Sequence, residues 1–372
     1  GRPGAAFLGL PKDVGLAEFP GELSPGWARP IVQGQAAAAE ISRAAELINA
    51  SSRPLLLLGM QASQGALAES LQSFIRSTGL PYCATFQGPG AWVAPDQFAG
   101  RVGLFRNQPA DHLLDAADCV ITVGFDAIEF DPSLWNSGNN RSLVAIDVLA
   151  PDQDQAFLPS AELIGGIDAN LTALAPLIKV TVEEAFRRSG DAAAAELHAT
   201  AAEGAQLDGT PLHPLRVIHE LRQVVTPDTT LALDVGSHYI WMNRYFPAGH
   251  ARQVLVSNGQ QTLGVALPWA MATNLCRPGQ PVISVSGDGG FLFTATELQT
   301  ATRIGSRFVH LIWNSGSYNM VAFQERAHYG RTAGVQLGTY NVEAFAEAFG
   351  CKGYRITAAD QLGPVLREAL QQ

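Results

Sequence analysis

The chain has 372 residues, of which 47% are hydrophobic, and its formal net charge is −10 at pH 7. This length and composition indicate an α/β protein with room for two domains and part of a third. The negative charge argues against nucleic-acid binding and against adhesion to anionic membranes. Four widely spaced cysteines argue against a zinc site or a disulfide framework and fit a reducing cytoplasm. No apolar stretch is long enough to span a membrane.

The first residues are typical of the end of a domain. Residues 5–10 are predicted to form a strand, and a strand without a partner is unstable. We therefore expect residues 1–14 to be the C-terminal remnant of a preceding α/β domain that lies mostly outside the chain. The Pro/Gly-rich residues 15–35 are expected to be a linker.

Residues 36–177 are predicted to form a doubly wound α/β domain. Apolar runs at 54–59, 81–85, 119–124 and 143–147 predict strands, and helices at 37–50 and 65–77 alternate with them. This alternation predicts a parallel sheet, in which ligands bind at the carboxyl ends of strands. Gly59–Ser63 and Gly124–Asp126 occupy such ends, although ordinary turns are the preferred interpretation. Residues 178–211, rich in Ala and Glu, are predicted to be an exposed helical linker.

Residues 212–372 are predicted to form a second α/β domain around the turn Ser286–Gly290. A β-branched strand precedes the turn, and another strand is expected at residues 308–313. Between them, Thr294 and Glu297 have the spacing of a capping box that opens a helix.

Asp288 in this turn is a candidate Mg²⁺ ligand. It follows a buried strand, and Gly289 and Gly290 allow backbone amides to approach a diphosphate. A tight strand-to-helix turn without a ligand is the alternative. A nicotinamide site is disfavoured because the G-x-G-x-x-G fingerprint is absent.

Two further turns of the same domain carry Gly, Ser, His and amide groups. Strands at 230–234 and 254–257 end in Asp234–His238 and Ser257–Gly264. Three such strand ends at one edge of a sheet favour a ligand site. Taken singly, His238 could be an ordinary buried histidine and Leu263 plain core. Three residues of the next helix could equally pack it against its neighbours: Tyr318, Met320 and Gln324.

The Asp288 turn, with polar residues about 27 positions later, resembles the diphosphate and magnesium motif of thiamine diphosphate enzymes. Within that family the chain most resembles the catabolic, FAD-independent acetolactate synthases. The resemblance runs essentially end to end. It is carried by residues 1–4 with 10–11, 98–105, 135–138, 257–262, 311–313 and 318–322.

The resemblance implies a three-domain subunit in a homotetramer, a dimer of dimers with active sites between subunits. Thiamine diphosphate and Mg²⁺ are the implied cofactors, without FAD. The implied diphosphate contacts are Gly236, Ser237, His238, Gly289 and Gly290; Gln261 and Leu263 would hold the aminopyrimidine. Asp288 would bind Mg²⁺, and Tyr318, Met320, Val321 and Gln324 would border the pyruvate pocket, where Gln324 would orient the substrate.

The second metal ligand departs from the family pattern, which has Asp or Asn at that position. Counting back from Tyr318 places Ser315 there, with the carbonyl of Ser317 as a further ligand. The alternative is Asn314 with the carbonyl of Gly316. Either choice predicts weaker Mg²⁺ binding than a carboxylate would give.

The implied reaction condenses two pyruvates into 2-acetolactate with release of CO₂. The cofactor's thiazolium supplies the electron sink for the acyl carbanion, and the protein supplies geometry and electrostatics. The family's activating glutamate would lie in the absent first domain, so the chain alone is expected to be inactive. A 2-oxoacid decarboxylase, an FAD-dependent synthase and a non-catalytic cofactor-binding fragment are the alternatives.

Overall fold

The structure is a computed structural model that describes residues 7–22, 33–63, 67–88, 90, 92–248, 250, 253–257 and 260–372. It contains two parallel β-sheets, each the centre of an α/β domain. Within the described residues, no helix combines the length and the apolar character needed to cross a membrane.

The first sheet has six strands, all parallel. In chain order they are β1 (Pro54–Leu58), β2 (Tyr82–Thr85), β3 (Phe98–Val102), β4 (Cys119–Val123), β5 (Ser142–Asp147) and β6 (Ala161–Ile164). Their order across the sheet is β3-β2-β1-β4-β5-β6, so the winding reverses between β1 and β4. The predicted doubly wound parallel sheet is therefore confirmed, although β3 and β6 were not predicted as strands.

Alternate residues of β1 point to opposite faces of this sheet, and each face has its own core. Leu56 and Leu58 belong to one buried cluster, whereas Leu55 and Leu57 belong to the other. The helices of this part of the chain are α2 (Ala38–Asn49), α3 (Ala68–Thr78), α4 (Pro109–Ala116), α5 (Ser133–Asn136) and α6 (Ile167–Leu174). Near-continuous apolar strands are expected of a sheet that is covered on both faces.

The second sheet has four parallel strands in the order β10-β9-β7-β8. They are β7 (Thr230–Leu233), β8 (Val254–Leu255), β9 (Val282–Gly287) and β10 (Val309–Trp313). Among the described residues, eight helices accompany them: α8 (Pro214–Val224), α9 (Ser237–Tyr245), α10 (Ala266–Cys276), α11 (Asp288–Thr294), α12 (Leu298–Arg303), α13 (Asn319–Tyr329), α14 (Val342–Ala348) and α15 (Ala359–Ala369). The second predicted α/β sheet is thus confirmed as well.

Helix α7 (Glu184–Glu203) corrects the prediction of an exposed helical linker. One side of this 20-residue helix is buried, and it packs against β3, α4, α8 and α9. The buried positions include Phe186, Ala193 and Leu197, which recur at helical spacing. The Ala- and Glu-rich composition led to the wrong prediction, because the buried stripe consists mostly of small residues and lacks an obvious apolar pattern.

The N-terminal segment does not form the predicted strand over its described part. Residues 7–10 have no regular structure, and α1 (Lys12–Leu16) is a short helix. Phe7 and Leu8 are 96% and 87% exposed. An isolated strand would leave its backbone groups unpaired, and none of the described strands pairs with this segment. The rest of the predicted strand and most of the predicted linker lie outside the described residues.

Helix α9 joins the two domains. The hydroxyl of Tyr239 donates to the carbonyl of Phe86 at 3.2 Å. From the first domain, Nε of the fully buried Arg101 donates to the carbonyl of Asn243 at 3.1 Å, while its Nη1 donates to the carbonyl of Thr85. The guanidinium thus satisfies a carbonyl in the last turn of α9, where the helix itself provides no donor.

Candidate active site at the carboxyl edge of the second sheet

Three strand ends meet at the carboxyl edge of the second sheet. Leu233 of β7 pairs with Val285 of β9, and Trp313 of β10 pairs with Gly287. The residues that follow these strands therefore lie side by side, as expected for a ligand site in a parallel sheet. This edge contains most of the residues that the sequence singled out.

Asp288 is the first residue of α11, and its side chain is 3% exposed. Its Oδ2 accepts a hydrogen bond of 2.7 Å from the amide of Gly316, which follows β10. Helix α11 begins at Asp288, and α12 begins at Leu298, directly after the capping box predicted at Thr294 and Glu297; neither of these two side chains caps the helix. Thr294 instead donates its hydroxyl to the carbonyl of Gly264 at 2.8 Å.

Gly289 and Gly290 are positions where a side chain has no room. A Cβ on Gly289 would lie 2.5 Å from Cε1 of Tyr318, and one on Gly290 would lie 2.6 Å from Oδ2 of Asp234. Neither glycine has a positive φ. Close approach of neighbouring side chains, rather than backbone conformation, thus requires glycine at both positions.

Asp234 is a site residue that the sequence analysis did not single out as a functional group. Its side chain is fully buried and accepts hydrogen bonds from the amides of Val235 at 2.8 Å and of Gly264 at 2.9 and 3.0 Å. Burial raises the pKa of its carboxyl group, and the amide hydrogen bonds oppose that shift. The carboxylate fixes the turn that contains Gly264 against α11. An Asp that ends a strand just before a glycine turn was the available signal.

His238 lies in the first turn of α9, behind Gly236 and Ser237. Its side chain is 2% exposed, and the ring stands so close to Gly236 that a Cβ there would lie 2.9 Å from Cε1. Burial lowers the pKa of His238 to about 4, so the ring is neutral at pH 7. Its Nε2 is buried without a hydrogen-bond partner in the described part of the chain. A neutral ring can donate or accept one hydrogen bond but adds no positive charge for a diphosphate.

The turn before α10 contains Gln261 and Leu263. Gln261 is exposed and has a φ of 50°, in the left-handed region that non-glycine residues seldom adopt. Leu263 is half-buried, and the next residue, Gly264, is held by Asp234. Residues 258 and 259 of the same turn lie outside the described residues.

The loop after β10 supplies oxygen atoms near Asp288. Oγ of Ser315 donates to the carbonyl of Ser317 at 3.0 Å. Oδ1 of Asn314 accepts a 3.2 Å hydrogen bond from the amide of Gly316, the group that also donates to Asp288. The described residues contain no group of three or more His, Cys, Asp or Glu side chains that could hold a metal ion. Besides the carboxylate of Asp288, any metal bound here would therefore depend on neutral oxygens and on oxygens of a ligand.

Helix α13 presents the predicted substrate-pocket residues. Tyr318 precedes the helix and its ring lies against Gly289. Met320 is half-buried, while Val321 and Gln324 are exposed. All residues of α13 are described, and none of them is buried. This helix thus has an open face.

Two further residues near the site were not predicted. His310 on β10 bridges the hydroxyls of Ser284 and Ser286, at 2.7 and 2.9 Å, and burial lowers its pKa to about 3. A neutral histidine therefore holds the end of β9 against β10. Tyr340 has a buried hydroxyl without a partner among the described residues; burial first and then the charge of Asp288 raise its pKa. Neither residue belongs to a local sequence motif, so only contacts between residues far apart in the chain indicate its role in the site.

Comparisons with known proteins match both domains of the chain. The central domain of thiamine pyrophosphate enzymes matches residues 41–174, and their C-terminal TPP binding domain matches residues 234–372. An acetolactate synthase of Bacillus subtilis (strain 168) is 39% identical over 373 residues, which are 100% of this chain and 65% of that protein. A catabolic acetolactate synthase of Raoultella terrigena is 42% identical over 380 residues, covering 100% of this chain and 66% of that protein. A probable acetolactate synthase large subunit of Methanocaldococcus jannaschii is 27% identical over 388 residues. The chain thus spans just under two thirds of the length of its two more similar relatives.

Proposed function

Because the chain belongs to the thiamine diphosphate-dependent enzyme family, we propose that it forms the central and cofactor-binding domains of an acetolactate synthase. The proposed reaction joins two pyruvates into 2-acetolactate and releases one CO₂. Two proteins named acetolactate synthase align with the whole chain at 39% and 42% identity. The observation that carries the proposal is the convergence of Asp288 and the Ser315–Ser317 loop at the edge of the second sheet.

These residues fit a diphosphate held through Mg²⁺. The ion takes oxygen ligands at about 2.0–2.1 Å in octahedral geometry, so adjacent ligands lie about 3 Å apart. Oγ of Ser315 and the carbonyl oxygen of Ser317 are 3.0 Å apart. Asn314, whose Oδ1 accepts the amide of Gly316 at 3.2 Å, is the alternative to Ser315. We therefore propose Asp288, Ser315 and Ser317 as the protein ligands, with the diphosphate oxygens completing the set.

Each remaining site residue has a distinct part in this proposal. When bound, the cofactor supplies the electron sink for the charge left by loss of CO₂. Leu263 gives apolar contact to the cofactor's aminopyrimidine, and the backbone of Gln261 binds it. The side-chain amide of Gln324 donates to the carboxylate of pyruvate and orients it, while Met320 and Val321 exclude water from the reacting carbon. The ring of Tyr318 closes the pocket next to Gly289.

Diphosphate binding is assigned to the two turns that flank this pocket. The backbone at Gly236, Gly289 and Gly290 and the hydroxyl of Ser237 provide donors to the diphosphate. His238 borders the same turn with its unpartnered Nε2, which would donate to the diphosphate only in the tautomer that gives up the hydrogen bond of the ring to the backbone of Asp234.

The first sheet supports the absence of FAD from the proposed enzyme. Glu129 lies where the winding reverses, and its carboxylate accepts hydrogen bonds from the amides of Met60 and Asp126 and from the hydroxyl of Thr85 at 2.6–3.0 Å. Those amides follow β1 and β4, at the crevice where dinucleotides bind in such sheets. An internal carboxylate therefore occupies donors that a dinucleotide phosphate would need.

We further propose a cytoplasmic homo-oligomer, a dimer of dimers. The exposed apolar residues of α13, among them Val321 and Phe323 at 45% and 55% exposure, support a covered site in the assembly. Light scattering of the full-length gene product tests the oligomer. A monomer in the presence of thiamine diphosphate and Mg²⁺ would contradict it.

Turnover of pyruvate by the full-length gene product containing this chain tests the function. With thiamine diphosphate and Mg²⁺, the expected products are 2-acetolactate and CO₂ in equal amounts, quantified by NMR and gas analysis. Acetaldehyde as the main product would identify a 2-oxoacid decarboxylase instead, and no turnover would leave only a cofactor-binding role. A stoichiometric flavin band in the visible spectrum would refute the FAD-free assignment.

A further inference from the structure

Three successive residues of the first domain adopt left-handed backbone conformations. The φ angles of Leu104, Phe105 and Arg106 are 20°, 78° and 47°. Residues other than glycine rarely adopt such φ angles, and each residue in this conformation costs on the order of 1 kcal/mol or more. A strained run of this kind is maintained only where the surrounding structure holds it. Backbone strain of this kind is concentrated at active sites and ligand-binding segments.

Both domains hold this segment in place. Its preceding residue, Gly103, donates its amide to Oδ1 of Asp111 at 2.9 Å. The guanidinium of Arg106 pairs with Asp115 at 2.5 Å. From α9, Nη2 of Arg244 donates to Oδ1 of Asn107 at 2.8 Å. The strained segment is therefore a fixed platform that is anchored to the helix bearing Ser237 and His238.

The platform presents the ring of Phe105 toward α13. The ring is 45% exposed and packs edge-to-face on Phe323, with centroids 5.6 Å apart and planes at 77°. Phe323 is itself 55% exposed. Neither ring belongs to the buried core clusters of the described residues. Phe105 and Phe323, called here the aromatic pair, thus form a half-exposed apolar surface to which both domains contribute.

The aromatic pair stands beside the proposed substrate pocket. Phe323 follows Met320 by three residues, so these two side chains lie on one face of α13, and Gln324 lies one turn after Met320 on the adjoining side. Gln324 is the residue proposed to orient pyruvate, and Met320 borders the same pocket. The aromatic pair therefore lies on the side of the pocket that faces the first domain.

We propose that the aromatic pair is a specificity wall that limits the side chain of the 2-oxo acid accepted at this site. The inference rests on the proposed function and adds a residue of the first domain to its pocket. The methyl group of pyruvate fits beside the wall, whereas an additional methylene requires the space of the Phe105 ring. Discrimination by one methylene in an apolar pocket amounts to about 10- to 200-fold in kcat/KM.

A competition between pyruvate and 2-oxobutanoate tests the wall. In the mixed reaction, pyruvate loses CO₂ as one C–C bond breaks. Its acyl carbon then forms a C–C bond to the ketone carbon of 2-oxobutanoate, and the new alkoxide takes up one proton. The full-length gene product receives both acids at equal concentration, and NMR gives the ratio of 2-aceto-2-hydroxybutanoate to 2-acetolactate. Phe105→Ala is expected to raise this ratio about tenfold or more.

Matched variants separate the wall from a general structural effect. Phe323→Ala is expected to raise the ratio as well, and the double variant to change it by less than the product of the two, because the rings are in contact. Tyr329→Ala removes a 69% exposed ring at the far end of α13 and is expected to leave the ratio unchanged. Phe105→Leu keeps much of the packing and is expected to give a smaller rise, which can be measured if Phe105→Ala is unstable.

The outcomes for the wall and for the function are distinct. A ratio within twofold of the wild type in both Phe105 variants overturns the wall, as does an equal rise in Tyr329→Ala. A wild-type protein that forms no acetolactate overturns the proposed function itself.

Discussion

Gly290→Ala tests the packing beneath the candidate site. The added Cβ would lie 2.6 Å from Oδ2 of Asp234, almost 1 Å inside ordinary contact. Asp234 cannot withdraw freely, because amides of Val235 and Gly264 hold its two oxygens. Overpacking costs about 1–3 kcal/mol, and a broken hydrogen bond to a carboxylate costs about 1.5–3 kcal/mol. The better helix propensity of alanine returns only about 0.5–1 kcal/mol.

The net expectation is a loss of roughly 2–5 kcal/mol of unfolding free energy. Calorimetry without thiamine diphosphate and Mg²⁺ isolates this effect from ligand binding; we expect the unfolding midpoint to fall by about 4 °C or more. Gly338→Ala is the control, since its added Cβ meets no atom within 4 Å and its φ is not positive. Equal midpoints for the two variants would refute the assigned contact between Gly290 and Asp234.

Three further predictions concern other parts of the chain. Ser315→Asp should lower the Mg²⁺ concentration for half-maximal activity at least about tenfold, because it adds a ligand charge; an unchanged requirement removes Ser315 from the metal site. Burial raises the pKa of Glu129 from 4.5 to about 7. The stability that this shift contributes is therefore present below pH 4.5 and declines by roughly 3 kcal/mol as the pH rises through 7. Denaturation across that range should show the decline in wild type and not in Glu129→Gln; parallel curves would contradict it. Arg101→Met should cost about 2–6 kcal/mol by leaving the carbonyls of Gly88 and Asn243 without their guanidinium donors, and Arg101→Lys should not restore it, since a point charge lacks the planar fork. Calorimetry of both Arg101 variants checks this, and full rescue by lysine would count against the carbonyl contacts.

The sheets were predictable because their central strands are continuous apolar runs. Strand β3 escaped prediction because its sequence contains a glycine with a φ of 119° and the buried Arg101. Arginine is almost never fully buried without partners, and its partner Asn243 lies 142 residues away. Strand β6 has alternating burial at the edge of the sheet, and four residues give too short a pattern to recognise.

The candidate site was predictable where a motif is local. Asp288 and its two glycines stand in one turn, so their residue types alone indicate a diphosphate or metal site. The structural role of Asp234 depends on its contacts with Gly264 and Gly290. These glycines lie in other turns, which the sheet brings next to Asp234. The aromatic pair depends on contact between residues 105 and 323, which no local pattern indicates.

Helix α9 makes the two domains thermodynamically interdependent. Its first turn carries Ser237 and His238, while Tyr239, Asn243 and Arg244 bind the first domain. A ligand that orders the first turn of α9 and a domain interface that orders its later turns act on the same short helix. By linkage, if docking of the first domain tightens ligand binding by a given factor, the ligand tightens docking of that domain by the same factor. Hydrogen exchange in β2 and β3 should therefore slow when a ligand binds at the other end of α9, although no ligand atom touches either strand.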